Sequence, residues 1–299
     1  MNQQELEQGV EARLRAQLTA LPAGPSVTDI TTAVDALAKA IDDMPDGQSP
    51  QDARLAAVWQ QSGRFQINRW TGDLGRSLHG VAHAIEDVKA NPLPPAGVDA
   101  IENALWRLDT GRERIKTIAC LALGVTVVTL IPNRTNVAFK VDGKALGRTL
   151  TDLASTHPSA GPLNAVLEQL WGHDATNRRN EVTHGLTQVA DVPPLFYFQL
   201  ARVRQRQIES WETRSYHSNS APFQAGNLTL SAILRQTYTA IVEAFDLEIQ
   251  AVNLLAQLVQ SAARLEPWYS VFYDEDTGVA TLTDPRTTGF GDPWPPAKG

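Results

Sequence analysis

The chain has 299 residues, 42% of them hydrophobic and 20% charged, a balance that builds a sizeable core and excludes a disordered polymer. Its net charge of −7 argues against a general nucleic-acid binder, and its lone cysteine, Cys120, excludes an intramolecular disulfide and fits a reducing compartment. The acidity is uneven: residues 1–70 sum to −3 and residues 265–299 to −4, which leaves the middle of the chain neutral.

The amino-terminal stretch is polar with early acids and no basic leader, so the sequence predicts a cytoplasmic protein without a secretory signal. The most apolar run, Thr117 to Ile131, is shorter than the roughly 20 residues that span a bilayer, and no membrane partner is expected. Leu6, Val10, Leu14 and Leu18 recur at helical spacing until Pro22-Ala23-Gly24-Pro25 breaks the pattern. Ser26 to Asp29 then caps a second helix with Ile30, Val34, Leu37, Ala38 and Ile41 on one face. A third helix is predicted after Ser49-Pro50, and a fourth from about Thr71 with Leu74, Leu78, Val81, Ala82 and Ile85. Asn91 to Gly97 is rich in proline and reads as a linker.

From Val98 a long helix is expected, with Ile101, Leu105, Leu108, Ile115, Ile118 and Leu121 as its apolar stripe and Cys120 a buried, inert thiol. Val125 to Leu130 is β-branched enough for a short strand, and Val137 to Val141 suggests an extended excursion before Asp142-Gly143. Helices are predicted at 144–155, 161–171, 175–188 and 195–215, and a last long one from Leu228 to Leu265. Trp268 to Thr283 alternates around Asp276-Thr277-Gly278, a hairpin signal. The expected class is all-α: an N-terminal helical region at 1–90, a helical domain at 97–265, and a short β-hairpin and tail at 266–299.

Arg179-Asn180-Glu181-Val182-Thr183-His184 is the constellation with chemical content. RNA cleavage by its own 2′-hydroxyl needs a group to take that proton, a group to protonate the leaving oxygen, and positive charge on the phosphorus centre. A histidine does the first or second near neutral pH, and an arginine supplies fixed charge with a bidentate donor fork. The nucleophile is already on the substrate, so neither metal nor cofactor is required. On a helix Asn180 and His184 share a face one turn apart, where Asn180 can orient the imidazole or hold a phosphate oxygen. Gly185 leaves room for close approach.

At RNEVTHG the sequence resembles the HEPN superfamily, whose helical bundles carry Arg, often then Asn, His or Asp, and a His three to five residues on. The likeness extends more loosely over about 97–265. It implies a bundle of HEPN type with Arg179 and His184 as catalytic residues and Asn180 as support. It also implies RNA as substrate, a homodimer with two motifs facing one cleft, and a toxin or phage-defence setting. Some members instead bind nucleotides or proteins without cleaving RNA, which makes a regulatory module with a protein partner the alternative. A tyrosine that one subfamily carries two residues beyond the histidine is replaced by Leu186 here, against membership in that pair system.

Other patterns have plainer accounts. Asp42-Asp43-Met44-Pro45-Asp46 spells a DDxxD pattern, but Pro45 interrupts the helix that magnesium binding would need, and a solvated helix end fits better. His79 and His83 have zinc-compatible spacing without the glutamate of a zincin, so a structural pair is expected. Gly75-Arg76-Ser77-Leu78-His79 lacks the spacing and preceding strand of a nucleophile elbow. Arg178, Arg112, Arg114 and Lys116 are weak candidates for holding RNA phosphates, although intervening acids such as Glu113 favour a mixed solvated face. Trp106, Trp171 and Trp211 read as core or interface residues rather than base-stacking platforms.

Overall fold

The computed structural model describes residues 3–44, 64–92, 96–123, 125–130, 137–141, 143–176, 179, 230–262, 270–274 and 279–283. Helix dominates them. The amino-terminal helix α1 (Gln3–Thr19) is followed by α2 (Val27–Asp42), α3 (Arg64–Ala90) and α4 (Ala96–Ala122). After two strands come α5 (Gly143–Leu153), α6 (Ala160–Gly172) and the longest, α7 (Leu230–Ala262).

Local chemistry explains the boundaries. Between α1 and α2 the chain turns through Gly24, whose φ of 76° lies where a side chain is disfavoured. A reciprocal capping box opens α2: Asp29 N–H donates to Ser26 Oγ at 3.2 Å, and Asp29 Oδ2 accepts from the Ser26 N–H at 2.9 Å and hydroxyl at 2.6 Å. The Ser26 hydroxyl and then its amide hold the Asp29 carboxyl below its ordinary range. The helix expected from about Thr71 is α3, which begins seven residues earlier, and the one expected after Ser49-Pro50 falls outside the described residues. Thr71 is buried within α3 and its hydroxyl donates to the Ile67 carbonyl one turn back.

The described residues form two compact units. One gathers Met1–Thr31, Gly75–Arg112 and Leu167–Gln250. Its core includes Leu18, Leu78, Val81, Ile101, Leu105, Tyr238 and Phe245. A Cβ added at Gly24 would stand 3.5 Å from Val242 and 3.6 Å from Phe245, and the Tyr238 hydroxyl donates to the Pro22 carbonyl. Arg15 Nη2 donates to the Ala90 carbonyl at 2.6 Å, closing the end of α3.

The other unit gathers Thr32–Leu74, Glu113–Val166 and Ala251–Gly299, with Leu37, Ile41, Ile67, Leu74, Ile115, Ile118, Leu150, Leu163 and Leu255 buried. It also holds four five-residue strands, β1 (Thr126–Leu130), β2 (Val137–Val141), β3 (Ser270–Asp274) and β4 (Val279–Thr283). They form one antiparallel sheet in the order β2-β1-β4-β3. Val128 pairs with Phe139 on one side and Leu282 on the other, and Leu282 in turn pairs with Val271. Among the described residues no helix is long and apolar enough to cross a membrane.

The connection from α3 to α4 depends on a small residue. A Cβ on the buried Gly97 would stand 2.6 Å from the Pro92 carbonyl oxygen, which is backbone and cannot swing away. Gly97→Ala is expected to cost about 1–3 kcal/mol through this overpacking. Urea denaturation should show a lower midpoint at unchanged slope; an unmoved midpoint would contradict the contact.

Candidate functional site

The candidate site is assembled on α4, which carries Trp106, Asp109 and Arg112 on successive turns. Arg112 Nη2 lies 2.5 Å from Asp109 Oδ1, and both side chains are largely withdrawn from water. The other oxygen, Asp109 Oδ2, receives Arg179 Nη2 at 2.8 Å. The Arg179 guanidinium also sits over the Trp106 ring, 4.8 Å from its centroid. One carboxylate therefore bridges two guanidiniums, and an indole face supports the second.

The segment leading to Arg179 is tied to the same helix. Arg112 Nη1 donates to Thr176 Oγ1 at 2.8 Å, and the Thr176 hydroxyl donates to the Leu170 carbonyl at 3.0 Å. The turn after α6 is thus clasped by Arg112 three residues before the motif begins. A neutral hydroxyl, one carboxylate and two arginines make a polar cluster with an excess of positive charge.

A fifth member comes from α7. Glu248 is 1% exposed, and its Oε2 accepts no hydrogen bond among the described residues. That oxygen occupies the space that a side chain at Gly111 would need, since a Cβ there would stand 2.5 Å away. Burial pushes the Glu248 carboxyl well above its usual range; the Arg112 charge opposes the shift and Asp109 adds to it. Asp109 is the carboxylate in ion-pair contact with both guanidiniums.

This raised value has a consequence for stability. The folded protein keeps the Glu248 proton over a range in which the unfolded chain, at an ordinary glutamate value of 4.5, has released it. The native state binds more protons there, so stability falls as pH rises from about that value toward the folded one. Glu248→Gln keeps the shape and removes the titration. Urea unfolding across pH should show the wild type losing stability relative to this variant as pH rises; parallel pH profiles would contradict a raised Glu248.

The structure brings Arg179 and Arg112 together. Arg178, Asn180 and His184 lie outside the described residues, as does the rest of the predicted helix at 175–188 apart from its helical turn at 174–176 and Arg179. In the other unit, Arg114 Nη2 is 3.8 Å from Asp73 Oδ2 with its guanidinium 5.8 Å from the Trp70 ring, and Lys116 pairs with Glu113. Arg112, Arg114 and Lys116 each face an acid, and Arg112 is largely withdrawn from water. Trp106 is not in the core: it is 44% exposed, which leaves the interface half of the core-or-interface expectation. Its neighbours Leu105 and Leu108 take the buried side of α4 and leave the indole facing outward.

Sequence reasoning passed over Asp109, Thr176 and Glu248. Two of them carried a signal. Asp109 stands three residues before Arg112, the spacing of a helical ion pair, and Glu248 interrupts the apolar run of α7 between Phe245 and Val252.

A separate hollow of about 1020 Å³ in the same unit is lined by His173, Asp174, Arg235, Glu243 and Asp246 among others. His173 Nδ1 accepts from the Ala175 amide at 3.2 Å, and its Nε2 lies 3.7 Å from Glu243 Oε2. Burial first, then Asp29 and Glu243, raise the Asp246 carboxyl. This acidic lining suits a phosphate polyanion poorly, and none of Arg112, Arg114, Lys116 and Arg179 lines it. His79 is half-buried and His83 exposed on α3, and among the described residues no group of three His, Cys, Asp or Glu side chains is placed to hold a metal ion. Comparison with family models, curated proteins and solved structures finds no match to this chain.

Proposed function

We propose that the chain is a metal-independent endoribonuclease of HEPN type, acting on cytoplasmic RNA as a homodimer in a toxin or phage-defence setting. The observation that carries this reading is the fixed pose of Arg179, the first residue of the RNxxxH segment. Asp109 and Trp106 hold its guanidinium from two sides beside the guanidinium of Arg112. Preorganised positive charge of this kind stabilises the charge that develops on phosphorus.

In the proposed reaction the 2′-oxygen attacks phosphorus and its proton passes to an imidazole. The bond to the 5′-oxygen breaks, and that oxygen leaves with a proton from an acid, giving a 2′,3′-cyclic phosphate and a 5′-hydroxyl. His184 serves as acid or base, Arg179 steadies the phosphate, and Asn180 positions them. Two copies bring two motifs to one cleft, so one imidazole accepts while the other donates. The test is incubation of the pure protein with total cellular RNA, with and without EDTA, read on a gel. Cleavage in both lanes is expected; intact RNA contradicts the reading.

One observation favours a second reading, a non-catalytic module that binds a nucleotide or a regulatory protein. Arg179 is already engaged by Asp109, and an arginine so paired can serve structure alone. Under that reading RNA stays intact.

A further inference from the structure

We propose that Trp106 is a stacking shelf for an unpaired RNA base beside Arg179, an inference that rests on the ribonuclease reading and names the form of RNA the site takes. Large apolar side chains exposed among the described residues are few, Val27 and Trp106. Trp106 is no isolated surface residue: its ring already supports the Arg179 guanidinium, at the head of the motif. An exposed indole offers a base the flat, sequence-tolerant surface on which single strands are held.

The charge around the ring fits the same ligand. Arg107 adjoins Trp106 and is exposed, its Nε lying 3.4 Å from Asn103 Oδ1. Asp109 is shared between two guanidiniums and Glu248 is buried away from the surface, so Glu102, one turn back, is the next acid along the helix. In a chain of net charge −7, this patch gathers Arg107, Arg112 and Arg179. Aromatic surface beside arginines recognises a flat ring and its phosphate together; a purely apolar protein surface would leave those cations unmatched, and an acidic one would leave the indole face without a planar partner. A base must be out of a duplex to reach the indole, so the shelf selects unpaired RNA.

The test uses a short labelled oligoribonucleotide methylated at every 2′-oxygen. It lacks the nucleophile and stays intact, so binding is read apart from cleavage. The wild type should bind the single strand, Trp106→Ala should raise Kd about tenfold, and Trp106→Phe should retain most of the affinity. Trp106→Leu, which keeps apolar bulk without an aromatic face, should behave like the alanine variant and guards against a folding artefact. Binding of the same sequence as a duplex should be indifferent to all three. Equal affinity of wild type and Trp106→Ala for the single strand, or no binding by the wild type, overturns the shelf. So does a Trp106→Ala variant that alters oligomeric mass at unchanged Kd, which would make the patch a protein contact. Failure of the ribonuclease reading shows elsewhere, as cleavage that persists in His184→Ala.

Discussion

His184→Ala is expected to abolish RNA cleavage while leaving the melting temperature nearly unchanged. In the proposed reaction the imidazole moves protons at two oxygens, and each such role is worth about 10²–10⁴-fold in rate. Arg179 remains bound to Asp109 and Trp106 in the variant, so the phosphate contact survives and the loss should fall on kcat more than on KM. Gel-based rates beside thermal melts read both quantities. Undiminished cleavage by the variant would remove the proposal, and a collapse in melting temperature would assign His184 to the fold instead.

The largest expected loss of stability comes from Asp109→Ala. The carboxylate balances Arg112 at one oxygen and Arg179 at the other, with Arg112 12% and Arg179 22% exposed at the side chain. Removing it strips two poorly solvated guanidiniums of the carboxylate they share. Breaking a buried pair from one side costs about 3–5 kcal/mol, far above the worth of a surface ion pair. Asp109→Ala combined with Arg112→Ala should then be less destabilised than the sum of the single variants, since the second change removes one stranded charge. Urea denaturation of the four proteins checks this, and strictly additive losses would contradict a shared network. Arg179 also loses its anchor in Asp109→Ala, so cleavage should weaken in step.

Helices and their apolar stripes were legible in the sequence because burial writes a 3.6-residue period that needs no partner to be read. Ile101, Leu105, Leu108, Ile115 and Ile118 are all buried on α4, and the Ser26–Asp29 box opens α2 where the capping pattern places it. The start of α3 was illegible at Thr71, whose hydroxyl bonds back to the Ile67 carbonyl inside the helix. The surroundings of Arg179 were illegible for a different reason. Asp109 and Glu248 are 70 and 69 residues away along the chain, and no local period announces which distant carboxylate will neutralise a guanidinium. Trp106 follows the same logic. Its size suggested a core or an interface, and the stripe through Leu105 and Leu108 already fills the buried side of α4. The motif residues Asn180 and His184 lie outside the described residues, so their place rests on sequence alone.

The account turns on the RNA's own hydroxyl being the nucleophile at an arginine-steadied phosphate. End-group analysis of fragments made by the pure protein in EDTA asks this directly. The account predicts 2′,3′-cyclic phosphate and 5′-hydroxyl ends; 5′-phosphate ends, or RNA left whole, would contradict it.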